Sequence, residues 1–133
     1  MKVFLDSTLL IYLNTVTSDG RRIFDGFFKK LLGEVLFTNM LVLDEILYVS
    51  RRKFKVPYEI TLGFLRNIIL PYSRVISIDE GDIKPMEKYL RKYDLKPSDA
   101  IHLATMEKVG VAHIVTEDEE YDKVEEVRRV WLR

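Results

Sequence analysis

The sequence predicts an α/β fold built on a mainly parallel sheet of four to five strands, with helices over both faces. Three observations carry this. Short apolar runs recur at residues 2–5, 35–37, 74–78, 113–115 and 127–132. Between them lie longer stretches with helical apolar spacing, the layout of right-handed β-α-β crossovers. No repeat, low-complexity tract or linker interrupts the 133 residues, so one domain over 1–133 is expected.

The elements follow in order. Residues 2–5 read as a short buried strand. A brief helical pattern at 8–13 precedes a stronger one at 20–32, where Ile23, Phe24, Phe27, Phe28, Leu31 and Leu32 recur at helical spacing. Gly33 and the pair Thr38-Asn39 bound the strand at 35–37, and that pair supplies caps for a helix over 39–53. Pro57 suits the first turn of a helix over 57–70, which Pro71 stops. After the strand at 74–78, Asp79 caps a helix over 80–93, with Pro85 tolerable near its first turn or at a break. A turn at 95–98 opens a helix over 98–109, closed by Gly110.

Composition excludes several classes of function. An apolar fraction of 47% with 32% charged residues describes a globular chain. Twenty-one basic and 21 acidic residues cancel, so nucleic acid would be met by local patches rather than by a global field. Without cysteine there is no disulfide, thiolate catalysis or zinc-thiolate site. No signal-peptide layout opens the chain and no run approaches 18 apolar residues, which sets the expectation of a cytoplasmic protein. Gly-rich phosphate loops, GxSxG and HExxH are missing.

What remains is acid. Asp6 directly follows the first apolar run, and Asp118 follows the run at 112–116. Ligand sites in parallel sheets lie beyond the carboxyl ends of the strands, where both acids fall. Asp6, in Asp6-Ser7-Thr8, also makes a good helix cap, and one carboxylate can serve cap and cation together. Glu45 interrupts an apolar helix beside Leu41, Val42, Tyr48 and Val49; Asp44 is similarly surrounded, and periodicity does not choose between them. Asp99 stands in the first turn of a helix, where the helix dipole also favours an acid. Glu120 is a further candidate in the acidic loop and Asp122 a weaker one. Lys29-Lys30, Arg91-Lys92 and the cluster at residues 51–55 read as solvated faces. Arg51 and Arg52 are the best placed to meet a phosphate backbone. His102 reads as a helix-face residue near the site, and the aromatic residues read as core.

With these motifs the chain resembles the PIN-domain nucleases, in particular the small prokaryotic VapC-like toxins. The resemblance spans nearly the whole sequence. It rests on the first strand with Asp6-Ser7-Thr8, on residues 38–48 with their acid at Glu45, on Lys96-Pro97-Ser98-Asp99-Ala100-Ile101-His102, and on Thr116-Glu117-Asp118-Glu119-Glu120-Tyr121-Asp122. It implies a three-layer α/β/α sandwich and an acidic quartet at Asp6, Glu45, Asp99 and Asp118, which settles Glu45 over Asp44. Thr116 takes the hydroxyl position beside the site and Ser7 a polar position after the first acid. Glu120 stands where Asp is commoner, and Glu117 where an apolar or small residue is usual. The resemblance further implies Mg2+- or Mn2+-dependent RNA cleavage, homodimers and, for toxins, a small antitoxin over the active site. The face carrying Phe24, Phe27 and Phe28, or the 57–70 helix, would offer such a partner a groove unless it is core or dimer contact.

Carboxylates that converge repel one another, and hard cations that prefer oxygen ligands suit an all-acid site. Asp6 and Asp99 are therefore expected to bind the main ion, with Glu45 and Asp118 completing its shell directly or through water. A bound ion would activate water for in-line attack on a phosphodiester. Two rivals stand beside this. An aspartyl-phosphate enzyme or receiver domain would want Asp at Thr8, or an acceptor Asp where the second strand ends in Thr38. A metal-stabilised module that binds RNA or protein without cutting would carry the same acids. A stand-alone RNA-processing nuclease is the further alternative to a toxin.

Overall fold

The computed structural model describes residues 1–132; Arg133, the last residue of the expected 1–133 domain, lies outside the described residues. Five strands form one sheet: β1 (Lys2–Leu5), β2 (Val35–Asn39), β3 (Ser73–Ile76), β4 (His113–Val115) and β5 (Arg128–Val130). Their order is β3-β2-β1-β4-β5 and every pairing is parallel. β1 is central because Val3, Phe4 and Leu5 have no exposed surface, and a strand buried on both faces needs neighbours on both sides. Phe4 pairs with Phe37 on one side and Ile114 on the other.

Among the described residues six α-helices cover the sheet: α1 (Ser7–Thr15), α2 (Arg21–Leu31), α3 (Met40–Phe54), α4 (Tyr58–Phe64), α5 (Ile83–Lys92) and α6 (Pro97–Lys108). The chain winds outward from β1 through β2 to β3, with α1 packed on α2 and α3, then returns past β1 to β4 with α5 packed on α6. Right-handed crossovers in opposite directions put the two helix groups on opposite faces. The result is the three-layer α/β/α sandwich. The winding reverses between β1 and β4, which opens the crevice of such a sheet beside their carboxyl ends. Arg74 and Arg128, exposed on the two outer strands, blunt the sheet's edges. Among the described residues no helix is long and apolar enough to cross a membrane.

Several expected boundaries move. The helix expected over 57–70 ends at Phe64; a widened turn spans Leu65–Ile69 and a 3-10 turn Leu70–Tyr72. The Leu70 N–H reaches back to Leu65 O, and Pro71, lacking an N–H, cannot continue the α-helical ladder. This path buries Leu65 and Ile69 together. Pro57 is the N-cap of α4 rather than a first-turn residue. Strand β3 stops at Ile76, not 78, because its partner β2 runs out at Asn39. Strand β2 outlasts its expected end at 37: Thr38 is a buried strand residue whose hydroxyl donates to Leu5 O at 3.1 Å. Asn39 alone caps α3, accepting from Val42 N–H at 2.9 Å. The helix expected over 80–93 begins as a 3-10 turn (Glu80–Asp82) capped by Asp79, leaving Pro85 in the first turn of α5. Gly110, at φ 70°, closes α6 as expected.

Candidate active site

Asp6 leaves β1 and enters α1, so its carboxylate sits at the floor of the crevice, 7% exposed. One oxygen, Oδ1, accepts the Ser7 N–H at 2.8 Å. The other, Oδ2, accepts the Thr116 hydroxyl at 2.8 Å from the end of β4. The cap reading of Asp6 is therefore realised, and its second oxygen is turned to Thr116. Burial pushes the Asp6 carboxyl above its ordinary value, the Ser7 and Thr116 bonds pull it back, and the Asp118 charge raises it again.

Thr116 is fully buried and its hydroxyl oxygen also accepts the Asp118 N–H at 3.1 Å. Asp118 is half-buried and caps the 3-10 turn Glu119–Lys123 through a bond from Glu120 N–H at 2.9 Å. That turn carries Tyr121, fully buried, whose hydroxyl donates to Asp99 Oδ1 at 2.9 Å. Asp99 lies in the first turn of α6, also half-buried. Its carboxyl is raised by burial and by the charges of Asp6 and Asp118, against the Tyr121 bond. Burial, the Asp6 and Asp99 charges and the bond to Asp99 all hold the Tyr121 proton, so this phenol stays a donor.

Glu45 is exposed on α3, as is Asp44. Its charge is felt at His102, together with that of Asp99. His102 is 1% exposed, and its Nε2 lies 3.8 Å from Asp6 Oδ1. Burial outweighs both acids and lowers the imidazole to about 4, leaving it neutral near pH 7. The charge of Asp118 thus bears on Asp6 and Asp99, and those of Asp99 and Glu45 bear on His102.

The remaining candidates fall outside this group. Glu120 is exposed and paired with Lys123 at 3.0 Å. Asp122 is held by Arg129 through two bonds of 2.8 and 3.2 Å. Ser7 contributes its backbone N–H to Asp6. Glu117 accepts the Tyr12 hydroxyl at 2.6 Å. Arg51 and Arg52 lie about two helical turns beyond Glu45 on α3. There they line a cleft of about 470 Å³ with Lys55, Tyr48 and Tyr58, and the Arg51 guanidinium stacks over the Tyr58 ring at 4.7 Å. The Phe24, Phe27 and Phe28 face divides between core and groove, for Phe27 also lines an open cleft of about 480 Å³ with Ile23 and Trp131. Phe28 is buried, Phe24 stacks on Tyr12 and Phe27 meets Trp131 edge-on.

Two roles escaped the sequence reading. Tyr121 anchors Asp99, and Asn39 holds His102. The only sequence signal for His102 is its spacing of three from Asp99, which puts both on one helix face.

Among the described residues no three acid or imidazole side chains stand close enough to form a ready-made metal cage. The donor set nevertheless suits a hard cation: carboxylate oxygens could serve as ligands, and the charge of Asp118 on Asp6, with those of Asp6 and Asp118 on Asp99, is a repulsion that a cation would relieve.

The PIN domain family model matches residues 3–127, and the chain belongs to that family. No curated protein matches the sequence significantly. Among solved structures, the fold is similar to the Rickettsia felis VapBC2 complex bound to a promoter DNA fragment, at 14% identity and TM-score 0.74, covering 98% of each chain. It is similar also to Mycobacterium tuberculosis VapC20, a sarcin-ricin loop cleaving toxin, at 15% identity and TM-score 0.73, covering 92% of this chain and 95% of that one. A toxin-antitoxin complex from Klebsiella pneumoniae matches at 18% identity and TM-score 0.71, covering 95% of both.

Proposed function

We propose that this chain is a Mg2+- or Mn2+-dependent endoribonuclease, and that it acts in the cytoplasm as the toxin of a type II toxin-antitoxin pair. One observation carries the reading: the Thr116 hydroxyl locks the buried Asp6 carboxylate across the seam where the sheet reverses its winding, within reach of the Asp99 and Asp118 charges. A stability argument alone gives no reason to bury an acid there among like charges. Membership of the PIN family and the fold shared with VapC toxins support the same reading.

Asp6 and Asp99 would hold the ion, with Glu45 and Asp118 completing its shell directly or through water. When bound, the ion supplies an activated water and offsets charge on the phosphodiester. The protein's own part is positional. Ser7 N–H and the Thr116 hydroxyl fix the Asp6 oxygens, and the Tyr121 hydroxyl fixes Asp99. Arg51 and Arg52 would bind the RNA backbone beside Tyr48 and Tyr58, whose rings offer stacking surface. The exposed apolar residues Ile60 and Leu62 of α4 are the surface on which we place a homodimer or antitoxin contact.

The test is cleavage of single-stranded RNA under titrated Mg2+ and Mn2+. Activity should need the ion, vanish with chelator, and fall at least 100-fold in Asp6→Asn and Asp99→Asn. Parent-like cleavage by either variant would refute the assignment. The lack of a ready-made cage keeps one second reading, a module that binds metal and RNA without cutting. Ion-dependent stabilisation with uncut RNA would select it.

A further inference from the structure

Beneath the acids lies a hydrogen-bonded chain that the nuclease reading does not use. Asn39 has no exposed surface, and its amide orientation is fixed because Oδ1 accepts the Val42 N–H at 2.9 Å. Its Nδ2 therefore faces the other way, and an amide nitrogen only donates. One hydrogen goes to Thr105 Oγ1 and the other to His102 Nδ1, each at 3.1 Å. Thr105 turns its own hydroxyl hydrogen to His102 O at 2.9 Å, so its oxygen is free to accept. The ring nitrogen Nδ1 must then accept, and a neutral imidazole that accepts at Nδ1 carries its proton at Nε2. That Nε2 is the atom 3.8 Å from Asp6 Oδ1. The distance is too long for a direct hydrogen bond and short enough for the N–H dipole to act on the carboxylate.

Resting on the metal-dependent reading of the site, we infer that Asn39 and His102 form a positioning relay. Asn39 locks the His102 ring as its Nε2–H form and keeps a neutral donor aimed at the Asp6 carboxylate. The helix cap thereby does two jobs. Its oxygen starts α3, the helix that carries Glu45, and its nitrogen sets the direction of a dipole on α6, the helix that carries Asp99. His102 adds no charge of its own. It favours the ionised carboxylate, which is the form that binds a cation, and His102 is expected to strengthen ion binding through Asp6 without touching the ion.

Two measurements on the full chain test this. In the first, long-range proton–nitrogen NMR of the labelled protein reads the tautomer of His102 directly. A protonated Nε2 with an unprotonated Nδ1 is expected at neutral pH, and an Nδ1–H form would overturn the relay. In the second, Mn2+ binding is measured by calorimetry in His102→Gln and His102→Asn. The glutamine amide can place an N–H near the ring's Nε2, whereas asparagine reaches only the Nδ1 position. His102→Gln should bind Mn2+ within about twofold of the parent, and His102→Asn about tenfold more weakly. Equal affinity in both variants at matched thermal stability would show that His102 is merely packed there. If the parent itself bound no Mn2+, the proposed nuclease function would fall, and the tautomer would still decide the relay.

Discussion

The Thr116 hydroxyl and the Asp6 carboxylate, 110 residues apart in sequence, share a buried 2.8 Å hydrogen bond that ties the end of β4 to the end of β1 at the floor of the crevice. A hydrogen bond to a charged group contributes about 1.5–3 kcal/mol, and its loss leaves a buried oxygen unsatisfied. Thr116→Val keeps the shape and removes the donor. Urea unfolding at pH 7 should show a loss of about 1.5–3 kcal/mol. If Asp6 holds the ion as proposed, Mn2+ affinity should fall about tenfold or more, since its carboxylate is no longer fixed. A variant as stable as the parent would mean that the bond does not form in solution.

The raised carboxyls of Asp6 and Asp99 give the site a pH dependence of definite sign. Both start from an ordinary value of 3.8 and are raised in the fold, chiefly by burial. Above that ordinary value the folded chain retains protons that the unfolded chain has released. Their contribution to the stability of the metal-free protein is therefore greatest at low pH and declines as pH rises through the raised values. The proposed ion binding would run the other way, because it would require both groups ionised. Mn2+ affinity followed by calorimetry from about pH 4 to about pH 8 should climb and then level off. An affinity independent of pH would contradict the burial of these acids.

His102 contributes the opposite slope. Its imidazole is lowered from 6.5 to about 4, so the unfolded chain takes up a proton on acidification before the folded chain does. Stability supplied by the neutral, buried ring is complete above the unfolded value and is lost as pH falls from 6.5 towards 4. The full span corresponds to roughly 3 kcal/mol. Replacing the ring by glutamine should flatten this acid limb in denaturation curves, and an unchanged limb would mean the ring titrates normally.

The proposed RNA-binding role of Arg51 and Arg52 can be tested apart from the acids. Both are exposed and neither contacts the acids, so Arg51→Ala with Arg52→Ala should leave Mn2+ affinity intact. RNA affinity should fall, and the slope of log K against log salt should shrink by about 0.7 for each arginine removed. An unaltered slope would place the RNA path elsewhere on the surface.

Much of this was legible in the sequence where one residue decides the outcome locally. Val3, Phe4 and Leu5 could only be a buried strand, and an acid just past such a strand could only sit at a sheet's carboxyl end. Asp99 at a helix start and Gly110 at its close follow from backbone chemistry alone. What escaped depends on pairs distant in sequence. The length of β3 is set by where β2 stops. The break after Phe64 is set by the joint burial of Leu65 and Ile69. Asn39 reads as a cap in any sequence, but its bond to His102 spans 63 residues and needs the sheet to be assembled first. Phe24, Phe27 and Phe28 read as core or dimer contact ahead of a groove, and only the distant Tyr12 and Trp131 show which ring packs where.

The placement of β1 between β2 and β4 bears on how the chain emerges from the ribosome. Asp6, Glu45 and Asp99 are all synthesised before the strand that carries the Thr116 hydroxyl. A nascent or broken chain that stops short of β4 can pair β1 only with β2, leaving Val3, Phe4 and Leu5 along an open, apolar, parallel edge. Such an edge invites other chains to add to it. The same late segment therefore closes the open side of the central strand and brings the last bond to Asp6, so core and crevice are completed in one step.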